Sequence, residues 1–287
     1  MAKSQATEET TQAKETTTAT QGVGPKQPQV AEDLDPSTMP FEQLLDHYRA
    51  NAAQNNWGFD PILIVGPTGT GKSASIENLP PQKTFILNAE EQPLPFRTAN
   101  QFKGIWQPKE PDTLGKDGKP VGLKAGQILN IIRWMSKSNY GVVILDSLSE
   151  AQGRNDQEAQ ILFTGFDRAN HYNARLAETL DLLRTKDKFS IAFSHPMNIA
   201  EVAGSEQTCA IAQGQWKGKI ETKFTIVLHA MVKPKADDEG IEYVFLTSKV
   251  AGHEKISAKS PVGMFNTYEP NDLAHILRKV MLYRMGY

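Results

Sequence analysis

The sequence predicts an α/β fold: a mostly parallel central sheet with helices on both faces and an antiparallel hairpin at its C-terminal edge. Three observations predict it. From about residue 58 onward, short apolar runs alternate with longer segments of helical period, the rhythm of a sheet built by crossover connections. Runs such as Ile62–Val65 and Val142–Leu145 are apolar at every position, as strands covered on both faces must be. The last two runs flank the polar, turn-rich segment Lys233–Gly240, which reads as a hairpin closing the sheet edge.

The 287 residues suffice for one large domain or two small ones. Residues 1–35 hold seven Thr before position 21 and almost no large apolar side chains. A disordered tail is expected there, because little burial is available to offset chain entropy. Residues 36–57 are expected to form a helix and linker: within Met39–Gln54, Phe41, Leu44, Leu45 and Tyr48 recur at helical spacing behind a Ser37/Thr38 cap signal. Residues 58–287 form the main domain. Its expected strands are Ile62–Val65, Thr84–Leu87, Val142–Leu145, Ser190–Phe193, Phe224–Val232 and Tyr243–Thr247. Its expected helices are Lys72–Leu79, Lys124–Ser138, Phe166–Lys186 and Asn271–Tyr283. Gln107–Gly122 and Ala200–Gly218 lack apolar periodicity and are expected to be long loops.

Composition narrows the function classes. The longest apolar runs, Ile62–Val65, Val142–Leu145 and Phe224–Val232, fall far short of the ~20 residues that span a bilayer, so no membrane partner is expected. Met1–Gln21 lacks the apolar stretch of a signal peptide, and Cys209 is the only cysteine; a cytoplasmic setting is the natural expectation. The six histidines, at 47, 171, 195, 229, 253 and 275, include no pair three to five residues apart that would place two ligands on one helix face. Residues 1–35 carry three Lys against six Asp plus Glu, which leaves 28 basic and 27 acidic residues over 36–287, a net of +1. Any nucleic-acid contact must therefore come from a local patch.

The motif with the most chemistry in it follows the first strand. Gly66, Pro67, Thr68, Gly69, Thr70, Gly71, Lys72 and Ser73 satisfy G-x-x-x-x-G-K-[ST], with Ala74 next in the chain. Glycines let successive backbone N–H groups turn toward phosphates, a following helix adds its dipole, Lys72 reaches the β and γ phosphates, and the Ser73 hydroxyl can hold Mg²⁺. Val142–Leu145 ends in Asp146 and Ser147, an apolar strand ending in an acid that can hold the metal opposite Ser73. Thr84–Leu87 is followed by Asn88, Ala89, Glu90 and Glu91; Glu90 is the candidate to orient an attacking water, Glu91 is the competing choice, and a solvated loop acid is the alternative to both. Ser190–Phe193 ends in Ser194 and His195, and a histidine there could hydrogen-bond the γ-phosphate and report its loss; a capping or core histidine is the alternative. All four strand ends fall at the edge where open α/β sheets bind ligands.

This order of strand, P-loop, strand ending in Ala89-Glu90, strand ending in Asp146-Ser147 and strand ending in His195 resembles the RecA-like recombinase core. Val142–Ala151, Ser190–His195 and the sequence Pro270-Asn271-Asp272-Leu273 are more closely similar to the small phage-encoded ATP-binding proteins of the Sak-type single-strand annealing group. The resemblance covers residues 58–285. It implies a RecA-like ATPase using ATP and Mg²⁺, acting as a homo-oligomer on single-stranded DNA in phage recombination or replication, beside a single-strand DNA-binding protein in the bacterial host cytoplasm. It gives Glu90 the catalytic role and His195 the sensor role. Two departures stand out: Pro80-Pro81 cut short the helix after the P-loop, and a Lys-Asp-Arg expected near the C-terminus is replaced by Ala258-Lys259-Ser260-Pro261, leaving Lys259 as the one match for a contact in trans.

In the RecA architecture, the segments behind the Walker B and sensor strands face the polymer, here Ser149–Asn155 and Ala200–Gly218. The second is followed by Trp216, Lys217 and Lys219, an aromatic among cations that could stack a base while the lysines track the backbone; a buried anchor before Phe224 is the alternative for Trp216. Gln101–Lys124 carries Lys103, Lys109, Lys116, Lys119 and Lys124 against three acids, ordinary for a solvated loop. A P-loop phosphotransferase and an ATP-controlled assembly switch are the rival readings.

Overall fold

The computed structural model describes residues 35–108, 113–114, 120–121, 123–200, 206–235 and 240–287. The tail expected over 1–35 lies outside them except for its last residue, as do Lys109, Lys116 and Lys119. In chain order the elements are α1 (Phe41–Asn55), β1 (Ile62–Val65), β2 (Thr84–Asn88), β3 (Gly104–Trp106), β4 (Thr113–Leu114), β5 (Pro120–Val121), α2 (Lys124–Lys137), β6 (Val142–Asp146), α3 (Leu148–Leu162), α4 (Gly165–Leu182), β7 (Phe189–Ser194), β8 (Pro196–Ala200), β9 (Glu206–Ala210), β10 (Ile226–Pro234), β11 (Ile241–Leu246), β12 (Tyr268–Pro270) and α5 (Leu273–Met285).

Eight strands form the main sheet in the order β12-β11-β10-β1-β7-β6-β2-β3. From β10 to β3 every pairing is parallel, and β10-β11 and β11-β12 are antiparallel. The expected architecture, including the edge hairpin, is therefore present. Every residue of β1, β2, β6 and β7 is buried, which is why these strands read as unbroken apolar runs. Their side chains alternate between two cores: Ile62, Ile64, Ile144 and Phe193 pack with α1 and α5, whereas Leu63, Val65, Val143 and Leu145 pack with α2 and α4. Each such buried aliphatic side chain contributes ~1.5–3 kcal/mol of hydrophobic stabilisation. Leu44, Leu45 and Tyr48 of α1 are fully buried in the first core, so the helix expected to lead into the domain is part of it.

Three expectations are corrected. The segment after the P-loop is not the helix expected over Lys72–Leu79 but a single 3-10 turn, Ser73–Ile76. Pro80 and Pro81 have no N–H to give and clash with a helical carbonyl four residues earlier, and the chain leaves through i→i−3 bonds such as Leu79 N–H to Ile76 O, 2.9 Å. Ser149–Asn155, expected as a polymer-facing loop, lies inside α3. No apolar stripe marks that helix, because Gln152, Asn155 and Glu158 occupy buried positions where apolar residues would define a face. Within Ala200–Gly218, expected as a loop, Glu206–Ala210 pairs with Pro196–Ala200 in an antiparallel ribbon.

Candidate functional site

The P-loop leaves β1 at the carboxyl edge of the parallel sheet. Gly66 has no room for a side chain: a Cβ there would lie 2.8 Å from Ala230 O and 2.8 Å from Thr70 Oγ1. Gly71 has φ +81° and is packed by Asn271, whose Nδ2 would sit 2.1 Å from an added Cβ, so two requirements fix glycine at that position. Because only one 3-10 turn follows, the helix dipole expected to assist phosphate binding is reduced to the amides of the loop and that turn.

Neighbouring strand ends are laced together by backbone hydrogen bonds. Gly66 N–H donates to Ser194 O at 3.1 Å, and Ala89 and Glu90 N–H both donate to Asp146 O, at 2.6 and 3.3 Å. His195 N–H donates to Ser149 Oγ at 2.7 Å, which ties the end of β7 to the first turn of α3. Ser147 caps that helix by accepting from Glu150 N–H at 3.3 Å. Four segments far apart in sequence are thereby held in one register.

The cleft they enclose has a volume of about 820 Å³, within the ~300–1,000 Å³ usual for small-molecule sites. Lys72, Ser73, Glu90, Asp146 and His195 all line it. Ser73 Oγ donates to Asp146 Oδ2 at 2.7 Å. Lys72 Nζ folds back on the loop, donating to Gly66 O at 2.7 Å and Pro67 O at 2.9 Å. His195 Nε2 lies 3.4 Å from Glu90 Oε1. Burial pushes the Asp146 carboxyl up to about 6, with Glu90 adding to the rise and the Ser73 hydrogen bond and Lys72 opposing it. Burial also lowers the Lys72 ammonium, against the pull of Glu90 and Asp146.

Of the two adjacent glutamates, Glu90 faces the cleft and Glu91 turns away. Glu91 has φ +61° and pairs with Lys124 Nζ at 2.6 Å and Arg154 at 3.6 Å. The remaining expected residues lie elsewhere. Trp216 is half-buried against the second core, its Nε1 enclosed with no hydrogen-bond partner among the described residues, and Lys223 Nζ lies 5.8 Å from the ring centroid. Lys217 and Lys219 are exposed. Lys259 is exposed and bridges by its backbone to Val227.

Sequence reasoning missed the other half of the cleft. Asn78, Ile241, Tyr243 and Asn271 line it, Asn78 from the segment after the P-loop turn, Ile241 and Tyr243 from the edge hairpin and Asn271 from the turn between β12 and α5. Only Asn271 carries a sequence signal, as part of Pro270-Asn271-Asp272-Leu273, a motif that by itself implies no role for it.

The residues present fit a Mg-nucleotide. The buried Asp146 and the Ser73 hydroxyl supply one carboxylate and one hydroxyl side by side, the donor set of a P-loop metal that completes its shell with phosphate oxygens and water. Among the described residues there is no group of three His, Cys, Asp or Glu that could hold a metal alone, and no helix is long and apolar enough to cross a membrane.

No family model matches the chain, and no curated protein matches it. Among solved structures it is similar to the KaiC-like protein PH0186 of the hyperthermophilic archaeon Pyrococcus horikoshii OT3, with 14% identity and a TM-score of 0.35 over 68% of this chain and 80% of that one. It is also similar to the flagellar accessory protein FlaH of Methanocaldococcus jannaschii, with 12% identity and a TM-score of 0.39 over 74% of this chain and 84% of that one. The fold rests on this chain's strand order, with the P-loop strand β1 between β10 and β7, and β6 with its terminal Asp146 one strand further out: a RecA-like P-loop fold.

Proposed function

We propose that the chain binds MgATP in this cleft and hydrolyses it, and that turnover is coupled to single-stranded DNA in phage recombination or replication. The observation that supports the ATPase reading is the meeting of Lys72, Ser73, Asp146, Glu90 and His195 on one cleft at the carboxyl edge of a parallel sheet. The loop amides and Lys72 hold the β and γ phosphates, Lys72 exchanging its two carbonyl acceptors for phosphate oxygens. Ser73 and Asp146 would hold Mg²⁺, which when bound neutralises charge on the phosphates. Glu90, on the opposite strand end, accepts a hydrogen bond from the attacking water and aims its lone pair at phosphorus, a role that contributes ~10²–10⁴-fold to rate. His195 orients Glu90 through the 3.4 Å contact and senses the γ-phosphate. β8 begins at the next residue, so a shift of His195 is passed directly to the β8-β9 ribbon.

The DNA part of the proposal rests on the resemblance and on exposed Lys217 and Lys219 beside Trp216. A homo-oligomer repeating that patch would raise a weak contact through multivalency, and a single-strand DNA-binding protein is the implied companion. ATP hydrolysis measured with and without single-stranded DNA tests both parts. Turnover that rises with DNA supports the whole reading. DNA-independent turnover removes the coupling, and binding without turnover leaves an assembly switch.

A further inference from the structure

Resting on the reading of the cleft as a nucleotide site, we propose that Asn271 and Tyr243 form its nucleoside-recognising wall, and that Asn271 Oδ1 accepts a hydrogen bond from a donor on the nucleoside, a ribose hydroxyl or a base amine. Residues of the P-loop and strand ends account for the phosphate half of the cleft. The side beyond Gly71 includes Asn78, Ile241, Tyr243 and Asn271, to which the proposal gives no phosphate contact, with Lys235 and Glu242 of the hairpin beside them.

The geometry fixes what Asn271 offers. Its Nδ2 donates to Thr70 O at 3.3 Å, so the amide orientation is set by the P-loop and the other end is the acceptor. That acceptor, Oδ1, is enclosed and has no hydrogen-bond partner among the described residues. An enclosed acceptor without a partner is destabilising in the free protein, and a small rotation of the Asn271 side chain toward the cleft, which costs only the long 3.3 Å bond to Thr70 O, offers it to a ligand donor. The position is held rigidly. Asn271 N–H donates to Tyr243 O at 3.3 Å, and the next residue, Asp272, caps α5 through Ala274 N–H at 2.8 Å while accepting from Asn78 Nδ2 at 3.0 Å. Tyr243 packs beside Asn271, its Cδ1 3.2 Å from where a Gly71 Cβ would be. It is 44% exposed, which leaves ring surface in the cleft for a base or sugar to lie against. α5 packs against the short turn after the P-loop, and the Asn78–Asp272 bond fixes the start of that helix there, with Asn271 against the loop.

Calorimetric binding to the full chain tests the assignment, with Mg²⁺ complexes of ATP, 2′-deoxy-ATP, 3′-deoxy-ATP, purine riboside triphosphate and inorganic tripolyphosphate as probes. ATP is expected to bind the unaltered chain at least tenfold more tightly than tripolyphosphate, and one analogue is expected to lose about tenfold. A deoxy analogue as the loser identifies a ribose hydroxyl; purine riboside triphosphate identifies the base amine. Asn271→Ala should weaken ATP by the same factor, leave tripolyphosphate unchanged and abolish the difference between ATP and the losing analogue. Equal affinity for ATP and all three nucleoside analogues, a comparison that needs no variant, overturns the inference. So does equal weakening of ATP and tripolyphosphate by Asn271→Ala, which would make the residue a support for the loop. Failure of the unaltered chain to bind either ATP or tripolyphosphate overturns the nucleotide reading itself.

Discussion

The two halves of the cleft are built in opposite ways. In the proposed phosphate half Asp146, Glu90 and His195 sit at or just past the ends of buried parallel strands that backbone bonds hold together, and Lys72 is held by its bonds to the loop carbonyls. In the proposed nucleoside half Ile241, Tyr243 and Asn271 come from an edge hairpin and the start of a helix about 170–200 residues further along the chain, the hairpin laddered to β1 through β10 and Asn271 reaching the P-loop by its side chain. On the proposed reading, local motifs build the chemistry and long-range packing builds the recognition. The predictions below probe whether the halves are as separable as that contrast implies.

The largest effect is expected at Glu90. Glu90→Gln should leave MgATP affinity unchanged and slow hydrolysis by ~10²-fold or more, because water orientation acts in the transition state. Glu91→Gln should cost far less, since it breaks only the pair with Lys124 and Arg154. Steady-state rates that reverse this ranking would move the catalytic role one position along the chain.

The backing of the phosphate half predicts a pH effect. His229 on β10 is paired with Val65, the last residue before the P-loop, and lies 3.1 Å from Ser257 Oγ, which in turn contacts Glu221. Burial lowers its pKa to about 4. The unfolded chain takes up this proton near the ordinary 6.5, the folded chain only near 4, so the unfolded state binds more protons between those values. Stability is full above pH 6.5 and declines as pH falls toward 4, by about 3 kcal/mol from this group. Denaturant midpoints across that window should flatten in His229→Asn, and an unchanged slope would assign it to other groups.

Lys72→Ala removes the cationic donor and should weaken MgATP by about 1.5–3 kcal/mol, with thermal stability little changed. Tripolyphosphate should weaken equally if the halves are separable. A loss confined to ATP would show that Lys72 also shapes the nucleoside wall.

The smallest effect is expected from Asp272→Ala, which removes the α5 cap and the bond to Asn78. It should lower stability by ~1 kcal/mol and weaken ATP while sparing tripolyphosphate. Equal weakening of both probes would mean that the helix cap supports the P-loop as well.

The sequence by itself determined that the sheet is mostly parallel, six of its eight strands and the polar residues that follow them at the carboxyl edge. Strands covered on both faces must be apolar throughout, so β1, β2, β6 and β7 announce themselves, and the polar residues at or just past each run necessarily stand at the ligand-binding edge. Glu90 and Glu91 stayed indistinguishable there, because a one-residue change of direction is set by a backbone turn and by the Lys124 and Arg154 partners that α2 and α3 deliver. Only the tertiary structure decided that α3 buries Gln152, Asn155 and Glu158, whose polar character hides a helical face that hydrogen bonds such as Tyr172 OH to Gln152 Oε1 satisfy. It alone decided that the P-loop is followed by one 3-10 turn and that Asn271 fills the space beside it. The reason is physical: chain-local preferences fix where strands and turns form, whereas which distant side chain reaches Gly71 depends on how α5 packs across the sheet, and no local pattern encodes that distance.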